Sequence, residues 1–183
     1  MEFILKKGLN ILDIGCGTGT IMLKIKEKFP DTNVSGLDAD WKVLGIARQK
    51  AEQRGMEIEF KKGISNDIPY KNTTFDVVVS SLFFHHLTEP NKKRTLKEIY
   101  RVLKNEGEIH IADFGKPNNL LMRLCFYTIQ MLDGFKTTSD NVKGMIPIYL
   151  EDCGFINIKE TSKFMTIFGT ISVYRAKKPK ENI

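Results

Sequence analysis

The sequence predicts an α/β fold: a doubly wound, mostly parallel sheet with an antiparallel hairpin at its C-terminal edge. Three observations predict it. Short apolar runs alternate with longer segments of helical period, a glycine-rich turn follows the first of those runs, and the rhythm changes after Asp113, where two strand-like runs follow each other. Strand alternating with helix implies right-handed crossovers and helices on both faces of the sheet.

Each element has its own warrant. Residues 10–14, 33–38, 57–61, 75–80 and 107–113 are short apolar runs of the kind that form strands buried on both faces. Residues 19–29, 41–54 and 89–104 carry helical periodicity. Thr88 is the expected N-cap of the third helix, with Pro90 tolerated in its first turn. Its buried side is Leu96, Ile99, Tyr100 and Leu103, and Lys92, Lys93, Arg94, Lys97, Arg101 and Lys104 are expected on a solvated face. Gly55 and Gly107 stand where helices stop. The link 62–74 is too short and polar for a helix. Beyond Asp113, residues 118–132 predict an unusually apolar helix and 133–141 a polar turn. A helix near 147–153 follows, then strands 155–160 and 164–175 paired as an edge hairpin. Ile167, Ile171 and Val173 alternate in the last strand, where Gly169 marks a bulge or a close backbone approach. Trp41 and the apolar residues between Leu120 and Leu132 are expected to pack, with pocket lining as the competing role.

Composition excludes several classes. The chain has 183 residues, 42% hydrophobic and 27% charged, enough to bury the core of one domain spanning 1–183 and too apolar for disorder. No uncharged apolar run is long enough for a membrane span. The opening Met1-Glu2-Phe3-Ile4-Leu5-Lys6 has too short an apolar run, and the wrong charges, for a signal peptide. Cys16, Cys125 and Cys153 are scattered with no CxxC pair, which argues for reduced thiols in a cytoplasm and against a disulfide framework or structural zinc. The formal charge of +6 is spread along the chain, so a nucleic-acid surface is disfavoured against ordinary solvated faces.

The chemistry gathers at Leu12-Asp13-Ile14-Gly15-Cys16-Gly17-Thr18-Gly19-Thr20, the end of the first strand and the start of the first helix. Glycines let such a loop turn sharply and approach a ligand closely. Asp38 ends the second strand, where a carboxylate accepts both hydroxyls of a ribose. Loop and acid together point to an adenosine-bearing ligand. A dinucleotide fingerprint places its third glycine three residues after the second; here the spacing is the tighter Gly15-x-Gly17-x-Gly19, with Asp13 beside the loop. That carboxylate suits a ligand carrying an ammonium and a sulfonium better than one carrying phosphates. The phosphate loop GxxxxGK[ST] does not occur.

Residues Asp13 to Gly19, Asp38, the stretch Ile68-Pro69-Tyr70 through Phe75-Asp76-Val77-Val78-Val79-Ser80, and Arg101-Val102-Leu103-Lys104 with Gly107 resemble class I S-adenosylmethionine-dependent methyltransferases. The nearest branch contains the ubiquinone- and menaquinone-biosynthesis enzymes and many small-molecule methyltransferases. The resemblance implies a Rossmann-like fold and S-adenosylmethionine as cofactor. It implies that Gly15, Cys16, Gly17 and Gly19 pass under the methionine part, Asp13 orients its ammonium, and Asp38 binds the ribose. Ala39 would lie against the adenine, Gly63, Ile64 and Ser65 would edge it, and Ser80 and Ser81 would contact the methionine portion. The family usually has an acid at the position of Ile64 to receive the adenine amino group; isoleucine cannot, although Asn66 or Asp67 stands close by in sequence.

Candidate catalytic groups are His85, His86 and Asp113, each with a structural alternative. Adjacent histidines point in different directions, so at most one faces a pocket as a base. Asp113 ends the fifth strand, where it either orients a substrate or caps the following loop. Cys16 is read as a small loop residue, not as a nucleophile. Residues 114–143 are expected to form a substrate lid, because only nine residues precede the first strand where relatives commonly carry covering helices; the remaining cover would come from a second subunit, a homodimer. No [DN]PP[YF] motif follows the fourth strand, no Pro-Cys pair is present, and no acidic cluster suits a metal. The expected activity is methyl transfer to a small, apolar or aromatic metabolite. The alternatives are a cofactor-binding module that serves a partner, and an RNA methyltransferase, which rests on charge alone.

Overall fold

The computed structural model describes residues 8–180. Seven strands form one sheet in the order β3-β2-β1-β4-β5-β7-β6. They are β1 (Asn10–Ile14), β2 (Asn33–Asp38), β3 (Glu59–Lys62), β4 (Phe75–Ser81), β5 (Leu103–Phe114), β6 (Ile156–Thr166) and β7 (Gly169–Lys177). The first five pair in parallel, while β7 runs antiparallel to both β5 and β6. Helices α1 (Thr20–Lys28) and α2 (Trp41–Gln53) bury Met22, Leu23, Ile25, Leu44, Ala47 and Ala51 with Ile11, Val34, Val77 and Val79. Helices α3 (Glu89–Val102) and α6 (Ile146–Asp152) belong to the second core, where Leu96, Ile99, Tyr149 and Leu150 cluster with Leu12, Val78, Ile109 and Ile111. Every fully buried aliphatic side chain there contributes about 1.5–3 kcal/mol relative to exposure. The predicted doubly wound sheet with its antiparallel edge is the observed one.

Several boundaries differ for identifiable reasons. Helix α3 gives way to β5 at Leu103, because the Arg101 and Val102 carbonyls accept from the Thr73 and Thr74 amides. The hairpin turn lies at Ile167 and Phe168, not near residue 162. Thr166 Oγ1 accepts from the Phe168 amide at 3.2 Å and donates to the Gly169 carbonyl at 2.8 Å, and Gly169 takes φ +127°, opening β7 instead of interrupting it. Ile167 therefore sits on the turn, 80% exposed, and Trp41, expected to pack, is 63% exposed.

The polar turn expected at 133–141 is instead a second helix of the segment that follows β5. Helix α4 (Leu120–Asp133), capped by Asn119 accepting from the Met122 amide at 2.9 Å, is followed by α5 (Phe135–Val142). The side chains of Cys125, Ile129 and Leu132 lie outside the described ones. Helix α5 turns its polar residues inward: Thr138 is buried with its hydroxyl between Gln130 Nε2 and the Gly134 carbonyl, and Asn141 is buried because a buried cation needs it. That cation is Lys92, which was expected on a solvated face and is instead 0% exposed. Its Nζ donates to the Thr137 carbonyl, Asp140 Oδ1 and Asn141 Oδ1, each at 2.6 Å. Burial lowers the Lys92 pKa, and the Asp140 carboxylate opposes that shift. Asn141 Nδ2 in turn donates to the Phe114 carbonyl at 2.9 Å, tying α5 to the end of β5. Lys178, expected in a frayed tail, is also buried, with its Nζ bonded to the Tyr100 and Leu103 carbonyls at 3.1 and 3.2 Å.

Replacing Lys92 by Met strands the Asp140 carboxylate away from solvent and is expected to cost about 3–5 kcal/mol of unfolding free energy in urea. Adding Asp140→Asn removes the orphaned charge and is expected to restore part of that loss. A Lys92→Met protein within about 1 kcal/mol of the parent would refute the buried-pair account.

Candidate functional site

Strands β1 and β4 lie side by side but their connections leave in opposite directions, β1 through α1 to β2 and β4 through α3 to β5. A crevice opens where such connections part, outside the carboxyl ends of the strands. The loop after β1 forms its floor. The Gly15 and Cys16 amides donate to the Leu37 carbonyl at 2.9 and 3.1 Å, and the Gly17 amide to Asp38 Oδ2 at 2.9 Å. Gly15 and Gly17 both take left-handed φ, +69° and +51°. They do so under different constraints: a Cβ on Gly15 would overlap the Phe83 ring, whereas one on Gly17 would meet nothing within 4 Å. Gly15 is thus demanded by packing as well as by conformation, and Gly17 is demanded by its backbone alone.

Two cavities meet at Gly15. One, of about 330 Å³, is walled by Leu37, Asp38, Ala39, Ile64 and Asn66; the other, of about 320 Å³, by Asp13, Cys16, Gly17, Thr20 and Ser81. Asp13 is 2% exposed and its Oδ1 has no hydrogen-bond partner. Burial, then repulsion from Asp38, raises its pKa from 3.8 to about 8. An orphaned carboxylate facing a cavity is the complement of a small cation. Asp38 Oδ1 accepts from the Asp40 amide at 3.0 Å, so this carboxylate braces the loop on one side while it lines the cavity on the other. The donor set fits a nucleoside with an ammonium group: Asp38 for hydroxyls, Asp13 for the cation, and exposed Ile64 and Ala39 as apolar walls. Asn66 lines the same cavity and supplies the amide that Ile64 lacks.

Not all the sequence candidates face the crevice. Ser81 lines it, but Ser80 is buried with Oγ donating to the Ile14 carbonyl at 2.9 Å. Ser65 lines the larger cavity while its Oγ shares a 2.8 Å hydrogen bond with Thr95. Cys16 is buried, and burial followed by its acidic neighbours pushes its pKa up, away from thiolate chemistry. Gly19 faces inward, toward Ala47 and Phe60. Phe83, Leu87 and Asn91 line the larger cavity and had no marker in the sequence, because only the path of the chain after β4 brings them there.

Asp113 is fully buried and takes four hydrogen bonds. Oδ2 accepts from the Phe83 and His85 amides at 3.1 and 3.3 Å, and Oδ1 from the Phe114 amide and His85 Nδ1, both at 2.7 Å. It thereby fixes the 3₁₀ turn Phe84–His86 against the end of β5. His85 is itself 4% exposed, held by Asp113 through Nδ1, and it lines neither cavity. His86 is exposed, its ring 4.0 Å from that of His85. Among the described residues, no cluster of His, Cys, Asp and Glu has the makings of a metal site.

A family model described as a methyltransferase domain matches residues 11–107. The demethylmenaquinone methyltransferase of Lactobacillus johnsonii is 35% identical over 122 residues, covering 65% of this chain and 49% of the relative. The chain thus spans about half the length of the curated relatives it matches. Among solved structures, a SAM-dependent methyltransferase from Methanosarcina mazei aligns with TM-score 0.77 and 25% identity over 97% of this chain and 95% of that one. A phosphoethanolamine N-methyltransferase from Haemonchus contortus, solved with S-adenosyl-L-methionine, aligns with TM-score 0.79 and 18% identity over 96% of this chain and 50% of that one.

A cation seated on Asp13 favours its ionised form, so binding expels the proton that the empty site holds at neutral pH. Titration of S-adenosylmethionine in buffers of different ionisation enthalpy is expected to show close to one proton released near pH 7, and affinity rising about tenfold per pH unit from about pH 5 to about pH 7. The sign for folding is the reverse. The raised value means the unliganded fold holds a proton that the unfolded chain sheds, so this group costs stability as pH rises from 3.8 toward 8. Asp13→Asn should abolish the proton release, and its persistence in that variant would refute the assignment.

Proposed function

The chain belongs to the methyltransferase domain family, whose cofactor is S-adenosylmethionine, and from that premise we propose that it transfers a methyl group to a small, apolar or aromatic acceptor by in-line displacement. The observation that carries this reading is the orphaned Asp13 carboxylate beside the glycine loop, facing one half of a crevice whose other half is lined by Asp38. The name of the Lactobacillus johnsonii relative supports an acceptor such as demethylmenaquinone. The apolar composition of α4 supports the same class. Two cations counted toward a basic surface, Lys92 and Lys178, are buried, which weakens the case for RNA as the acceptor.

In this reading Asp13 holds the ammonium, Asp38 receives the ribose hydroxyls while bracing the loop, and Ala39, Ile64 and Asn66 seat the base. When bound, the cofactor supplies an activated methyl on a sulfonium, so the protein has little bond polarisation to perform. Its work is alignment of the acceptor and exclusion of water, worth about 7–11 kcal/mol where geometry is well fixed. Residues 114–143 act as the lid, latched through Lys92 and Asn141. His85, positioned by Asp113 on Nδ1, takes the proton from an acceptor that arrives protonated. His86 stands at the surface, its ring beside that of His85.

Calorimetric titration with S-adenosylmethionine and its demethylated product is expected to show binding of both, and absence of both would end the proposal. Asp38→Ala should weaken that binding by about tenfold or more, since it removes a charge-assisted partner worth about 1.5–3 kcal/mol. His85→Gln should leave cofactor affinity unchanged while lowering turnover of a protonated quinol acceptor by about 10²–10⁴, with the loss shrinking as pH rises toward the acceptor's own pKa. His86→Ala should spare cofactor binding. A His85→Gln enzyme with the parent's turnover and pH profile would remove the base from the mechanism.

A further inference from the structure

Among the described residues, fifteen large hydrophobic side chains are exposed, and nine of them sit on two adjoining elements. Leu120, Leu121, Leu124, Tyr127 and Met131 project from α4, at spacings that share one helix face. The opposite face, Met122, Phe126 and Gln130, is buried. Met165, Ile167 and Phe168 stand at the β6–β7 turn, while Phe164, paired with Ile171, faces the other side of the hairpin from Thr170. The two elements are fastened together. The Phe126 ring fills the space beside Gly169, where a Cβ would meet it at 3.1 Å, and the Gly115 and Asn118 amides donate to Thr170 at 3.0 and 3.2 Å. Because Ile171 pairs with Phe114, the turn stands just beyond the carboxyl end of β5, on the side of the sheet where the crevice opens.

We propose that this combined face rests on an anionic lipid bilayer, so that an apolar acceptor passes from the membrane into the crevice without crossing water; this rests on the reading above of the acceptor as apolar. Exposed apolar side chains gathered on one helix face and at the adjoining turn mark an interaction site on a folded protein. Its charges select the occupant. Residues 114–131 carry Lys116 and Arg123 and no acid, and residues 161–170 carry Lys163 and no acid; the neighbouring Glu160 pairs with Lys163 at 3.1 Å. Arg123 lies 4.1 Å from the Tyr127 ring, an amphipathic pair suited to the depth where headgroups meet acyl chains. No helix among the described residues is long and apolar enough to cross the membrane, so the contact is with its surface.

The experiment is flotation of the cofactor-loaded chain, without acceptor, on vesicles of phosphatidylcholine alone or with about one part in four of phosphatidylglycerol. The protein is expected to float with the anionic vesicles and less so in high salt. Leu121→Ser, Leu124→Ser, Ile167→Ser and Phe168→Ser together should lower the partition by about tenfold or more, and Lys116→Gln with Arg123→Gln should erase the preference for anionic lipid. The four apolar side chains and Lys116 are exposed, so their substitution should leave unfolding midpoint and cofactor affinity unchanged. Arg123→Gln also removes the 2.6 Å hydrogen bond to Gln130 Oε1 and is expected to lower the midpoint while sparing cofactor affinity. A parent protein that stays at the bottom of the gradient with both vesicles overturns the inference. So does a dimer in sedimentation that the four serine substitutions dissociate, which would assign the face to a second copy. Cofactor binding without flotation defeats this inference and spares the function proposed above; flotation without methyl transfer to a quinol does the opposite.

Discussion

The parting of two neighbouring chains at the β1–β4 boundary is the constraint from which the site follows. Connections that leave to opposite sides cannot cover the strand ends between them, so a gap persists there whatever the side chains are. The sequence then decides what the gap recognises. The Leu37 carbonyl and Asp38 hold the glycine loop from the β2 side, while Phe83 presses on Gly15 from the β4 side. Ligand recognition and core packing are therefore joined at the same few residues.

This coupling explains which features were legible in the sequence. The glycine loop and Asp38 could be read because backbone constraint leaves a residue-type signature that survives without coordinates. The parallel strands could be read because strands covered on both faces must be apolar. Lys92 could not, since in the linear chain it sits in a run of cations and nothing there announces that Asp140 and Asn141, far along the chain, will bury it. The same blindness turned α5 into an expected turn: Asp140 and Asn141 look solvated until Lys92 is known as their partner. Ser80 and Ser81 were indistinguishable by type, and only the pleat of β4 sends one to the Ile14 carbonyl and the other to the cavity. The hairpin turn was misplaced because β6 is exposed along nearly its whole length, so no inside–outside alternation marks its register.

Electrostatically, the crevice runs against the rest of the molecule. A chain with formal charge +6 places two carboxylates, Asp13 and Asp38, on the walls of the two cavities that meet at Gly15. Repulsion between them is part of what keeps a proton on Asp13. A cation relieves both the burial and the repulsion, whereas a phosphate would add to them. On the proposed assignment, discrimination between nucleosides of opposite charge comes from the floor of the pocket, independent of contacts to the base.

The strand order at the far edge carries a consequence for biosynthesis. Strand β6 leaves the ribosome before β7, yet β7 is its only neighbour in the sheet and stands between it and β5. The exposed β6 must wait unpaired during translation, and the edge of the sheet closes only when β7 slides into the slot between two strands already made. Domains that emerge N-terminus first usually fold in that direction; here the later of the two strands is the keystone of its half of the sheet, leaving the nascent chain with an open seam until β7 has followed β6 out.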